Sequence, residues 1–167
     1  MKKPLIGFVL VVVILTFFAE AVKADDTLLK VKGAIGVIPV RGNAEPFVVN
    51  VVRGVNPPGN IWVIQDLNAT VKTNGAIKVD GRGLLRGGGN DIGTATDTSA
   101  FATLICEAIA PFTLSSTDPA GVPLDASGNF TIDDVLAPAP LLPCASPLLL
   151  IRSAGSGNWF AAGISEN

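Results

Sequence analysis

The chain has no histidine and no tyrosine, and only one methionine, two cysteines and two tryptophans in 167 residues. Each shortage excludes something. Without imidazole there is no histidine general base, no Ser-His-Asp or Cys-His nucleophile, and no His-ligated zinc, copper or haem. Two thiols alone cannot complete a structural metal site. Charged residues make up only 16% of the chain and nearly cancel, at a net charge of −2. That balance offers no basic footprint for nucleic acid. Apolar residues reach 49%, far too many for a disordered chain. The length suits one domain with a real core and hardly two.

What is present begins with an address. Lys2 and Lys3 precede an apolar run from Leu5 to Phe18 broken only by Gly7 and Thr16, and the small residues Val22 and Ala24 then flank Lys23. This is the three-part layout of a secretory signal peptide, predicted to span 1–24 and to be cleaved. The apolar run of 14 residues is shorter than the roughly 20 a membrane anchor needs. Loss of Lys2, Lys3, Lys23 and Glu20 leaves nine basic and thirteen acidic side chains, a net charge of −4 on residues 25–167. The expected product is a single exported domain, periplasmic or extracellular, with no attachment to the membrane after cleavage. In that compartment Cys106 and Cys144 are expected to form a disulfide.

Strand signals fill the rest: runs rich in Val, Ile and Thr alternate with Gly, Pro, Asn and Asp clusters. From Ile61 to Lys72 the alternation sets Ile61, Val63, Leu67, Ala69 and Val71 on one face, and Asp66, Asn68, Thr70 and Lys72 on the other. A two-residue turn at Asn74-Gly75 would put core and solvent residues on the same face. A three-residue loop of Thr73, Asn74 and Gly75 instead sets Val71 against Ile77, Ala69 against Val79 and Leu67 against Gly81. A hairpin over 61–85 follows. The same logic predicts a hairpin over Val122–Ile132, with Leu124 facing Phe130 and Val122 facing Ile132. Another is expected from Leu148–Arg152 to Trp159–Ile164, and single strands over Leu28–Ile38 and Phe47–Val52, the first with a bulge or an edge at Gly33 and Gly36.

Residues 97–110 fit either period: Phe101, Leu104, Ile105 and Ala108 have helical spacing, whereas the all-β surroundings favour a strand. Prolines 138, 140, 143 and 147 mark a covering loop. The fold class expected is all-β, an antiparallel β-sandwich or alternatively a small β-barrel, of about eight to ten strands.

Candidate chemistry is sparse. The run Gly81-Arg82-Gly83-Leu84-Leu85-Arg86-Gly87 lacks the third glycine of a dinucleotide fingerprint and the Lys-Ser/Thr of a phosphate loop. Arg82 and Arg86 remain as an anion patch beside exposed amides, and Trp62, on the polar parity of its strand, as part of a ligand patch or a residue covered by another element. Asp125, Asn129, Asp133 and Asp134 resemble calcium ligands faintly, but Gly128 comes one position early and no glutamate closes the loop. Carboxylate catalysis is the enzyme class that survives the absence of histidine, with Asp66, Asp80, Glu107, Asp133 and Asp134 as its acids. The expected role is a non-catalytic binding or structural module without a cofactor; the alternative is a carboxylate-dependent hydrolase of saccharide or peptide. Its partner is an unidentified ligand or protein, not nucleic acid, with self-association through an edge strand as a further route. The sequons at Asn68 and Asn129 are expected to be unused in a bacterial-type exported chain.

Overall fold

The computed structural model describes residues 26–42, 46–95 and 97–166, and the expected signal segment lies outside them. The described residues form thirteen strands and no helix. In chain order these are β1 (Thr27–Gly36), β2 (Val40–Arg41), β3 (Val48–Val49), β4 (Trp62–Val63), β5 (Asp66–Lys72), β6 (Ala76–Arg82) and β7 (Leu85–Arg86). There follow β8 (Ser99–Ile105), β9 (Ser115–Ser116), β10 (Val122–Pro123), β11 (Phe130–Val135), β12 (Leu148–Ser153) and β13 (Trp159–Ser165). Nine of them make one antiparallel sheet in the order β10-β8-β12-β13-β1-β5-β6-β11, with β9 alongside β8. Its two ends meet. Just beyond β11, Ala137 exchanges two backbone hydrogen bonds with Ser116 of β9, at 2.8 and 3.0 Å. The all-β body is therefore a nearly closed barrel of one sheet, the second of the two antiparallel architectures that alternation allows, and closure leaves few free edges.

The central hairpin has the expected register: Val71 faces Ile77, Ala69 faces Val79, Leu67 faces Gly81, and Asp66 faces Arg82. Gly75 takes φ +88, a left-handed conformation that side chains disfavour, and its N–H closes the loop on the Lys72 carbonyl. Alternation is clean here because one face of β5 and β6 lines the barrel interior, with Leu67, Val71, Ile77 and Val79 fully buried, while the other meets water. The C-terminal hairpin also forms, with Leu150 opposite Ala162 and a bulge after Ile151. Gly33, at φ +85, marks a bulge in β1, which runs between β13 and β5 and is not an edge.

Three expectations need correction. The alternation drawn from Ile61 breaks at Ile64–Gln65, where β4 leaves the main sheet to pair with β7. Across that break the parity reverses, so Trp62 is buried while Ile61 and Val63 are exposed. At 122–132 the loop closes as expected between Asp125 and Asn129, but its legs part: β10 pairs with β8, and β11 with β6. Phe130 thus faces Gly81 and Ile132 faces Val79, because β6 offers a half-built interior face that β10 cannot match. The strand at Phe47–Val52 shrinks to β3, which pairs only with β2.

Residues 97–110 contain strand β8. It is buried from Ala100 to Ile105 on both faces, which erases the period-two contrast a strand normally shows. Its side facing away from the barrel lies under arginine. Arg152 stacks its guanidinium 4.9 Å from the Phe101 ring and donates to Thr103 Oγ1 and the Gly157 carbonyl. The loop at 138–147 covers one end of the barrel, where buried Pro140 packs against the Gly75 turn. Cys144 joins it to Cys106 through the disulfide, with Cα atoms 4.7 Å apart.

Candidate functional site

Trp62 and Arg86 lie opposite one another in the β4–β7 ladder, and the Arg86 guanidinium stands 5.6 Å from the centre of the indole. The glycine-rich run explains how the arginine is held. After Arg86 the chain turns through Gly87–Gly89 and returns, so that Gly93 donates to the Arg86 carbonyl and Arg86 donates to the Thr94 carbonyl. This brings Asp91 Oδ2 to 3.5 Å and Thr94 Oγ1 to 3.4 Å from Arg86 Nη1. Trp62 packs on Phe160 with ring centroids 4.2 Å apart. Indole and phenyl are thereby the floor, and Arg86 the wall, of a hollow of ≈ 340 Å³ whose rim carries Asn60, Asp97, Ser99 and Ser156. Asp97 has φ +53, a left-handed backbone that Asp adopts more readily than most residues. Among the described residues, the side chains of Asn60, Asp97 and Ser99 have no hydrogen-bond partner. They are three polar groups in three different chemistries (amide, carboxylate, hydroxyl) that line the same hollow as the nearly buried rings of Trp62 and Phe160.

Arg82 goes elsewhere. It pairs with Asp80 at 3.1 Å and opens onto a separate hollow with Asn129 and Thr131. The two arginines of the expected anion patch are thus not brought together, and each already faces a carboxylate. A larger hollow of ≈ 400 Å³ runs along the outer face of β1, β5 and β6. Its walls are the exposed side chains of the sheet, including Lys30, Lys78 and Asp80, and Lys78 is engaged with Asp133 at 3.1 Å.

The calcium candidates serve the backbone. Asp125 Oδ1 accepts from the N–H groups of Ser127 and Asn129, each at 2.8 Å, and Oδ2 accepts from the Asn129 amide. The Asn129 N–H bond is the main cause holding the Asp125 carboxyl below its ordinary pKa. Asp133 faces Lys78, whereas Asp134, next along β11, accepts from the Asp118 N–H at 2.9 Å. Among the described residues no three acidic or thiol groups gather at one point.

Among the catalytic candidates, Asp66 accepts from the Asn68 amide on the open outer face. Glu107 lies beside the disulfide. Its Oε1 accepts from the Thr113 N–H at 3.2 Å and Oε2 is buried without a hydrogen-bond partner; the Thr113 side chain is the main cause, and its N–H a lesser one, that lowers the carboxyl pKa against an opposing effect of burial.

Two arginines carry structure that alternation does not announce. Besides Arg152, Arg53 reaches from the turn between Val52 and Val55 to donate to the carbonyls of Ile105 and Ser146 and to the Ser146 hydroxyl. It thus bolts both sides of the Cys106–Cys144 junction. Burial lowers the pKa of both guanidinium groups; for Arg53 the Glu107 charge opposes this. The positive φ of Arg53 (+44), just before Gly54, is the signal of a tight turn, and Val-Arg-Gly-Val is its only trace in the sequence.

Comparison with protein-family models, curated proteins and solved structures finds no match to this chain. Among the described residues no helix is long and apolar enough to cross a membrane.

Proposed function

We propose that this chain is an exported bacterial β-domain that binds a small, uncharged, hydroxyl-rich ligand, such as one or two sugar units, in the Trp62–Arg86 hollow and performs no chemistry on it. Export is supported by the charged and apolar layout of residues 1–24 and by the disulfide, which suits an oxidising compartment. The observation that carries the ligand class is the unspent trio of Asn60, Asp97 and Ser99 in the hollow that Trp62 and Phe160 also line. An amide, a carboxylate and a hydroxyl together both donate to and accept from ligand hydroxyls. Arg86 is already neutralised by Asp91, and Asp97 adds a negative charge, which disfavours an anion. The hollow falls in the size range of small-ligand sites.

The test is titration of the exported, purified protein with neutral mono- and disaccharides and, separately, with sulfate, read by tryptophan fluorescence and calorimetry. A saturable response to a neutral sugar is expected, weakened at least tenfold by Asp97→Ala or Asn60→Ala and unchanged by Asp80→Ala. Sulfate binding abolished by Arg82→Ala, with no sugar response, overturns the proposal in favour of an anion site. No response to any sugar overturns it as well.

A further inference from the structure

Strand β5 opens with Asp66-Leu67-Asn68-Ala69-Thr70, a sequon (Asn68-Ala69-Thr70) with an acidic residue two places before the asparagine. Asn-X-Ser/Thr is the acceptor pattern of N-linked glycosylation. Bacterial oligosaccharyltransferases add to it the demand for an acidic residue at that earlier place, so a bacterial sequon is expected to stay unused only where the acid is lacking. Asn129-Phe130-Thr131 lacks it, with Ser127 at the corresponding position. A spacing of two is also the period of a strand. Asp66, Asn68 and Thr70 therefore share the outer face, while Leu67 and Ala69 between them are buried in the barrel. The three residues a transferase would read are the three that the core does not use.

The contacts of the two sequons differ in the same direction. Asp66 faces Arg82 across the ladder, yet Arg82 pairs with Asp80, and the Asp66 carboxylate accepts from the Asn68 amide at 2.8 Å. That bond lies within β5 and ties no other element in place. Asn129 is spent on the fold: its Oδ1 accepts from the Gly83 N–H at 3.3 Å and its Nδ2 donates to Asp125 at 3.0 Å. Asn68 is exposed and borders the outer-face hollow of ≈ 400 Å³, beside Lys30, Lys78 and Glu166. A first sugar attached there meets open space and polar neighbours, and no strand has to move.

We infer that Asn68 is the acceptor of an N-linked glycan, supplied by a membrane-bound oligosaccharyltransferase from a lipid diphosphate-linked oligosaccharide. The Asn68 amide nitrogen bonds to C1 of the donor's first sugar, and the C1–O bond to the diphosphate breaks. The lipid diphosphate leaves with that electron pair, and one amide proton passes to a base. β5 is paired with β1 on one edge and β6 on the other, so residues 66–70 cannot bend into a transferase once the sheet exists. Transfer therefore precedes closure of the barrel, and the finished fold keeps the glycan on its outside. The site depends on the export proposed above but not on the Trp62–Arg86 hollow.

Intact mass and peptide mapping of the protein purified after export from its own bacterium test this, with the same chain exported from a host lacking the transferase as the mass reference. The expected product lacks residues 1–24 and exceeds its sequence mass by one oligosaccharide, carried on the peptide containing Asn68 and not on that containing Asn129. Asn68→Gln and Asp66→Ala should each lower the glycosylated fraction at least tenfold. Asp66→Glu and Thr70→Ser, which keep the acidic group and the hydroxyl, should retain it. In the reference host all four variants should hold the parent's thermal midpoint within a few degrees, which separates loss of the glycan from loss of the fold. A cleaved, exported chain of unmodified mass overturns the inference and leaves export standing, whereas a chain that keeps residues 1–24 overturns export as well. Glycosylation indifferent to Asp66→Ala, or as complete at Asn129 as at Asn68, also overturns it.

Discussion

The ring of Phe130 lies across the backbone of Gly81, in the space a side chain at position 81 would occupy. The two residues face each other in the β6–β11 ladder, and glycine is what lets the ring reach the barrel interior. This pairing diverts β11 from β10 to β6. Gly81→Ala should therefore destabilise the protein by about 1–3 kcal/mol through overpacking. Urea denaturation measures it. Adding Phe130→Leu should cost less in the Gly81→Ala background than in the parent; equal costs would show that the two positions are not coupled.

The disulfide closes a loop with a sequence separation of 38 residues. In the chain-entropy picture, a loop of that size stabilises by about 4 kcal/mol. Replacing both cysteines with alanine should lower the urea midpoint accordingly, and added reductant should have little further effect on that variant. A continued response to reductant would mean that it acts elsewhere.

Arg53 gives three hydrogen bonds to Ile105 and Ser146 from a left-handed backbone. Arg53→Ala leaves buried carbonyl groups without donors, at a cost of about 2–3 kcal/mol. Arg53→Gly makes the same loss but relieves the backbone, so it should be more stable than Arg53→Ala by up to about 1 kcal/mol. Equal stability of the two variants, measured by thermal unfolding, would show that the turn is unstrained.

The carboxyl pKa of Asp125 is lowered by its bonds to the Asn129 and Ser127 N–H groups, and that of Glu107 by Thr113. A depressed pKa means that the folded state holds the charged form more favourably. The contribution is fully present above the ordinary carboxylate pKa and is lost as pH falls from there through the folded-state value. Stability should be flat in this respect from pH 7 to about 5, then decline below pH 4. Asp125→Asn should flatten part of that decline. Parallel pH–stability curves for parent and variant would rule out this source of acid sensitivity.

Much of the fold is legible in residue order where one face is wet and the other dry. The hairpin of β5 and β6 could be registered residue by residue because Thr73-Asn74-Gly75 dictates the loop and alternation dictates the face. Alternation gives no contrast at β8, β12 and at Trp159–Ala161, which are buried on both sides, although the hairpin of β12 and β13 forms as expected from its turn. It fails again at Gln65, where the parity reverses between strands that run on in sequence but belong to different sheets. In the candidate site, Trp62 and Arg86 were visible as an unusual tryptophan and a glycine-flanked arginine. Their partners Phe160 and Asp97 were not, because the nearest of them is eleven positions away and reaches the hollow only through packing.

Local covalent chemistry was enough to determine the all-β class, the three-residue turns and the thiol pair available for a bridge. Those depend on backbone freedom, side-chain period and redox chemistry, which neighbouring residues set among themselves. The tertiary structure decided which strand lies beside which, the closure at Ser116 and Ala137, the arginines that cover the outside of β8, and the ribbon left uncovered at Val48. These are contests among distant segments for the same apolar faces, and only the assembled barrel shows which segment fits each face with the fewest voids and unpaired groups.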